Sequence, residues 1–202
     1  MQTLLDILAS GVHDTKNQLF LAESLLSAAE SAHGIDLGEA RYAIEAASAR
    51  LNRTLAAYRL LREGTGLAIV PTVVGDLIDE IALEQKAHLG KLGISLEIDC
   101  PVVDEWALDR DLVADMLNNA VQNAARFAKQ RIRLAARVDD DTLQLSVDDD
   151  GPGFNPLPPT TGVGLQLAAR LAELHVRRNR HGSLSLSNDG PLGGAHFMLH
   201  LP

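Results

Sequence analysis

The chain has 202 residues, 46% hydrophobic but only 3% aromatic, so it can bury a core and must build it from Leu, Ile, Val and Ala. A formal charge of -9 and a pI near 5.2 exclude the broad basic surface that nucleic acid requires. A single cysteine, Cys100, excludes an internal disulfide, no apolar run approaches the roughly 18 residues of a membrane span, and the start MQTLLDILASG lacks a basic leader, so the expectation is a cytoplasmic protein without membrane insertion.

Residues 1–63 contain no proline, and glycine appears only at 11, 34 and 38. Leu5, Val12, Leu19 and Leu26 recur every seven residues, and Leu8, Thr15, Ala22 and Ala29 form a second seam at the same interval. A repeat of 3.5 residues predicts a coiled-coil helix rather than one lying on a globule. AHGID, at 32–36, breaks the pattern with a glycine and a capping aspartate. A second helix is expected over 37–62, with seams Leu37, Ile44, Leu51, Tyr58 and Ala40, Ala47, Thr54, Leu61. Two seamed helices form an all-α helical hairpin. A hairpin alone buries too little, so a homodimer closing a four-helix bundle is the economical solution.

EGTGLAIVP, at 63–71, is a break in composition, and residues 64–71 are read as a linker. Beyond it, 72–202 mixes periods. Helices are expected over 73–90, 109–128 and 162–175. Strands are expected at 94–99, at 132–138 and 143–149 around the acidic turn DDDT, and at 183–188 and 195–201 around DGPLGG. Runs of strands with helices on one face predict an α+β sandwich.

Three patches in this second segment carry chemistry. In LNNAVQNAARF, 117–127, Asn119 and Asn123 stand four apart and share a helix face. They are either solvated polar residues or carboxamides facing a cation or phosphate-bound water. In VDDDGPGF, 147–154, a strand ends in acids and then Gly-Pro-Gly. This is either an acidic surface turn, or an Asp that accepts from an exocyclic amine beside glycines that let a flat ring or phosphate come close. In TTGVGLQLAAR, 161–170, two glycines open a helix, which reads as an ordinary cap or as an anion-binding N-terminus.

In order and spacing together, the three patches resemble the ATPase domain of sensor histidine kinases, in the superfamily that includes gyrase B, Hsp90 and MutL. The N box reads Asn119 to Ala124, the G1 box Asp149-Asp150-Gly151-Pro152-Gly153, and the G2 box Gly162-Val163-Gly164-Leu165-Gln166-Leu167-Ala168. The resemblance covers about 70–202 and implies a Bergerat-type ATP-binding domain. It implies that Asn123 holds magnesium, that Asn119 lies near the phosphates, and that Asp149 binds the adenine amine. Gly151, Gly153, Gly162, Gly164 and Leu165 would complete the ATP site. The first segment is similar to the dimerisation and histidine-phosphotransfer hairpin of the same kinases, whose H box reads here His13-Asp14-Thr15-Lys16-Asn17.

His13 follows the seam residue Val12 and so projects from the flank of the expected bundle. A neutral imidazole nitrogen is a competent nucleophile near neutral pH, and Asp14 would fix its tautomer. The resemblance implies an ATP-dependent protein histidine kinase that phosphorylates His13 and passes the group to an aspartate of a response-regulator receiver. By the same resemblance, an amide at Asn17 would orient water for dephosphorylating that receiver. Two departures stand out. Only NPLPPT separates Phe154 from Thr161, a lid shorter than the family's and rich in proline, and Gln166 stands where the G2 box often has a glycine. They leave open a dimeric histidine phosphotransferase that does not use ATP. A serine kinase of the kind that restrains sigma factors is a third class, one that lacks an H-box hairpin. Twelve residues precede His13, too few for a sensor domain, so the signal is expected from a separate sensor protein or from further chain. His33, His88, His175, His181, His196 and His200 belong to no box and read as structural.

Overall fold

The computed structural model describes residues 2–44, 46–48, 51, 66–157 and 163–202, with the side chains of 2–14, 16, 17, 163 and 164 outside the described set. The chain divides into two compact units, Met1–Thr65 and Gly66–Pro202.

The first unit opens with α1, Gln2–His33. Glycine at 34, with a left-handed φ of 64°, stops it, and helix resumes over 38–44. The short connection is held by Glu30, which accepts the Leu37 N–H at 2.8 Å and pairs with Arg41 at 2.8 Å. Of the expected seam residues with described side chains, Leu19, Ala22, Leu26, Ala29, Leu37, Ile44 and Leu51 are half-buried, whereas Thr15, Ala40 and Ala47 are exposed. Phe20, Leu21 and Leu25, outside both seams, are exposed. Most of the expected second helix, including Tyr58, Thr54 and Leu61, lies outside the described residues.

The second unit runs β1 (Ile69–Val73), α2 (Val74–Leu92), β2 (Ser95–Asp99), β3 (Glu105–Asp109), α3 (Arg110–Ala125), β4 (Arg131–Asp139), β5 (Thr142–Asp149), α4 (Val163–Glu173), β6 (Val176–Arg177), β7 (Arg180–His181), β8 (Ser183–Ser187) and β9 (His196–Leu201). Five strands form one sheet in the order β2-β4-β5-β9-β8, with β2 and β4 parallel and the other neighbours antiparallel. Strand period decides the faces. Leu143, Leu145 and Val147 of β5 stand opposite Leu201, Leu199 and Phe197 of β9, and all six are buried. The helices cover this side with apolar stripes: Val74, Leu77, Ile78, Ile81 and Leu89 on α2, and Leu112, Val113, Met116, Leu117, Ala120 and Val121 on α3. On the other face, Arg133 and Arg137 of β4 both pair with Asp99 of β2. This is the α+β arrangement that the periodicity predicts.

Four strands were not anticipated: the two-residue pair β6 and β7, and β1 with β3. Residues 69–71, expected as linker, begin β1, which pairs antiparallel with β3 from Ile69↔Asp109 to Val73↔Glu105. β1 contains Pro71, which the ribbon tolerates, and β3 is only five residues long, so neither run carries a clean alternating signal. The expected helix over 109–128 is shorter. Asp109 is its N-cap, with its side chain accepting the Leu112 N–H at 3.2 Å, and the helix ends at Ala125. The turn between β4 and β5 is built from Asp140 and Asp141, both with left-handed φ of 45° and 56°, as a tight hairpin between right-twisted strands demands.

Candidate functional site

Asp149 ends β5 on the parity of Leu143, Leu145 and Val147, so it extends an apolar row and is 3% exposed. Its Oδ1 accepts the Gly151 N–H at 2.8 Å and the Ala195 N–H at 3.1 Å. The main chain ties the same residue to the closing loop, with the Asp149 N–H donating to Ala195 O and the Gly194 N–H donating to Asp149 O. One carboxylate oxygen is thereby saturated, and these two bonds leave Oδ2 unused. Burial pushes the Asp149 carboxyl above its ordinary range, against the two amide donors that favour the charged form.

The glycines around it are required by space. A Cβ on Gly151 would collide with the carbonyl of Phe127, and one on Gly194 would collide with Oδ1 of Asp149. Gly153 has a left-handed φ of 76°. Gly151 thus presses against the chain just past α3, and Asp150 reinforces the join by accepting the main-chain N–H groups of Lys129 and Gln130 at 2.8 and 3.1 Å. The loop after β5 and the end of α3 are one assembly.

α3 sorts its asparagines by face. Asn118 turns to α2, accepting from Gln85 Nε2 at 2.9 Å and donating to Glu84 at 2.7 Å. Asn119 and Asn123 are half-buried, and neither carboxamide makes a hydrogen bond among the described residues. Half-buried oxygens without partners are what a hard cation or a hydrated phosphate would use. Arg126, one turn beyond Asn123, is exposed and makes no ion pair among the described residues. Arg126 belongs to none of the three boxes, although its spacing from Asn123 is a signal legible in the sequence.

Of the other expected site residues, Gly162 lies outside the described residues. Gly164 and Leu165 lie in the first turn of α4, with Leu165 half-buried. His13, Asp14 and Asn17 lie on α1 in the first unit, and their side chains are outside the described set. No cluster of three or more His, Cys, Asp or Glu side chains able to hold a metal occurs among the described residues. No helix among them is long and apolar enough to cross a membrane.

Residues 108–202 match the family described as histidine kinase-, DNA gyrase B-, and HSP90-like ATPase. The chain is 30% identical over 208 residues to the sensor protein kinase CarS of Pseudomonas aeruginosa, covering 94% of this chain and 44% of the relative. It is 30% identical over 146 residues to the sensor histidine kinase CpxA of Escherichia coli K12, covering 63% of this chain and 30% of the relative. It therefore spans less than half the length of these curated relatives. Its fold is similar to that of the Acinetobacter baumannii histidine kinase AdeS, with a TM-score of 0.65 at 14% identity over 92% of this chain and 95% of the other. The ATP-binding domain of PrrB from Mycobacterium tuberculosis aligns with a TM-score of 0.57 at 25% identity, over 67% of this chain and 97% of the other.

Proposed function

We propose that the chain, whose residues 108–202 match the histidine kinase-, DNA gyrase B-, and HSP90-like ATPase family, is a two-component histidine kinase catalytic core that transfers the γ-phosphoryl group of ATP to His13 and then to an aspartate of a response-regulator receiver. The observation that carries this reading is the state of Asp149. Its Oδ1 is held by two backbone amides, which aims the other oxygen as an acceptor for the exocyclic amine of adenine. A guanine presents a carbonyl there, so the same oxygen selects against it. Gly151 and Gly153 let the turn proposed as the floor pack closely against the Phe127 carbonyl and the Asn188 side chain.

Asn119 and Asn123 lie on the helix whose end meets that floor, and their unpartnered carboxamides suit the phosphate end of the nucleotide. Magnesium, held through Asn123, would neutralise charge on the phosphates during transfer. Arg126, which makes no ion pair among the described residues, adds a guanidinium of the right sign. Gly164 and Leu165, with Gly162, would present main-chain amides of the opening turn of α4 to the same phosphates.

On α1, His13 would attack phosphorus through a neutral ring nitrogen, and ADP would leave. Asp14 would hold the other ring nitrogen as donor and so keep the attacking one unprotonated. Asn17, one turn along, would orient water when the partner is dephosphorylated. The chain would act as a homodimer through its α1 seams, in the cytoplasm, and would take its signal from a sensor domain or a separate sensor protein.

Incubation with γ-labelled ATP and magnesium tests the reading. The expected product is an acid-labile, alkali-stable label that is absent from His13→Gln and that added receiver domains remove. Label that survives His13→Gln would overturn the assignment of His13.

A further inference from the structure

Asn188 lies in no box, one residue past β8, the edge strand of the five-stranded sheet. Its carboxamide grips both main-chain groups of Phe154, 34 residues earlier in the chain. Oδ1 accepts the Phe154 N–H at 2.7 Å, and Nδ2 donates to the Phe154 carbonyl at 3.1 Å. One side chain thus reproduces the paired bonds that a neighbouring strand would make. The grip also depends on glycine at 153, because a Cβ there would stand 2.6 Å from Oδ1 and 2.8 Å from Cγ of Asn188. The φ of 76° at Gly153 turns the chain into the position where Asn188 meets Phe154.

The turn Gly151-Pro152-Gly153 is therefore fixed at two ends. Asp149 holds it at Gly151, and Asn188 holds it through Phe154. A displacement of Phe154 therefore passes to the glycine turn that precedes it. We infer that Asn188 is a positioning residue for the nucleotide site, setting the glycine turn through its two-bond grip on Phe154. The inference rests on the proposed reading of that turn as the adenine floor.

The test uses the full chain, a fluorescent ATP analogue and amide hydrogen exchange at Phe154. Asn188→Ala removes both bonds. It is expected to weaken binding of the analogue roughly ten-fold with an unchanged plateau of sites, and to release the Phe154 amide to exchange. Asn188→Asp keeps an acceptor for the Phe154 N–H but cannot donate to the carbonyl, so the amide stays protected and the affinity falls between the two. A merely structural loss would lower the plateau and the Tm while leaving the affinity of the folded fraction unchanged, and that outcome overturns the inference. So does Asn188→Ala binding as tightly as the parent chain. A parent chain that binds no nucleotide overturns the site reading itself and the positioning role with it.

Discussion

The main-chain N–H of Asp109 donates to Nε2 of His175 at 3.2 Å, joining residues 66 apart in the chain. The other ring nitrogen of His175 lies 3.1 Å from Leu171 O, a carbonyl that can only accept. The ring is therefore neutral with its proton on Nδ1, an assignment made from the hydrogen-bond network. Asp109 meanwhile accepts from Leu112 N–H and Ala68 N–H. This one contact ties the entry to β1, the start of α3 and the end of α4.

His175 is 3% exposed, and its burial pushes the imidazole below its ordinary range. The unfolded chain then binds the proton more readily than the folded one. Stability is complete above the unfolded value of about 6.5 and is lost as pH falls below it. Melting curves from pH 8 to pH 5 should show Tm falling through the acid half of that range. His175→Ala should be less stable by about 2–4 kcal/mol at pH 7.5 and should respond less steeply to acid. An identical pH response in the variant would refute the assignment.

Asp149 is the reverse case. Its raised value means that ionised Asp149 costs the folded state at neutral pH, and that it contributes stability only in acid. Asp149→Asn keeps an oxygen for Gly151 and Ala195 and removes the buried charge. Its Tm at pH 7 should equal or exceed that of the parent, while ATP affinity should drop by about two orders of magnitude as an acceptor becomes a donor. In the parent, affinity should be flat at neutral pH and should fall as pH drops through the raised value. Calorimetric titration at several pH values measures both effects, with GTP as a competitor that should fail.

Gly151→Ala places a methyl group against the Phe127 carbonyl and Oδ1 of Asp149. Neither is the end of a flexible side chain free to swing away, so the backbone must shift, at a cost of about 1–3 kcal/mol. Because the shift moves the amide that orients Asp149, nucleotide affinity should fall as well. The contrasting substitution is Gly75→Ala on α2, where an added Cβ meets nothing within 4 Å. That change should leave binding intact and hold or raise Tm. Thermal melts and analogue titrations on the pair separate the two effects.

On α1, Phe20, Leu21 and Leu25 are 73%, 58% and 62% exposed within a single chain, and the seam residues Leu19 and Leu26 are only half-buried. A dimer should have twice the mass of the 21.7 kDa chain, and Leu26→Asp should shift it toward one chain. Light scattering across a dilution series reads the mass, and a parent protein that runs as a single chain at every concentration would rule out the bundle.

The three boxes are legible in the sequence because each pairs residue types of narrow conformational use with a short spacing. Gly151 and Gly153 sit where a Cβ or a negative φ is excluded, and Asn119 and Asn123 share a face by helical period alone. The hairpin of β4 and β5 was legible for the same reason, since alternation and an acidic turn are local signals. The ribbon of β1 and β3 was not, because five-residue strands with a proline gain their identity from each other across 32 to 40 residues of chain.

Local pattern therefore determined the order of elements, the chemistry of the boxes and the candidate nucleophile, since all of these depend on neighbours within about a turn or a pleat. Tertiary structure alone decided that Asn118 serves packing while Asn119 and Asn123 have no hydrogen-bond partner among the described residues, because Gln85 and Glu84 arrive from another helix. It decided that Asp149 is buried and which of its oxygens is satisfied, because Ala195 comes from the far end of the chain. It also gave His175 and Asn188 their partners, Asp109 and Phe154. A hydrogen bond needs two groups within about 3 Å, and no periodicity encodes which distant group the folded chain will bring there.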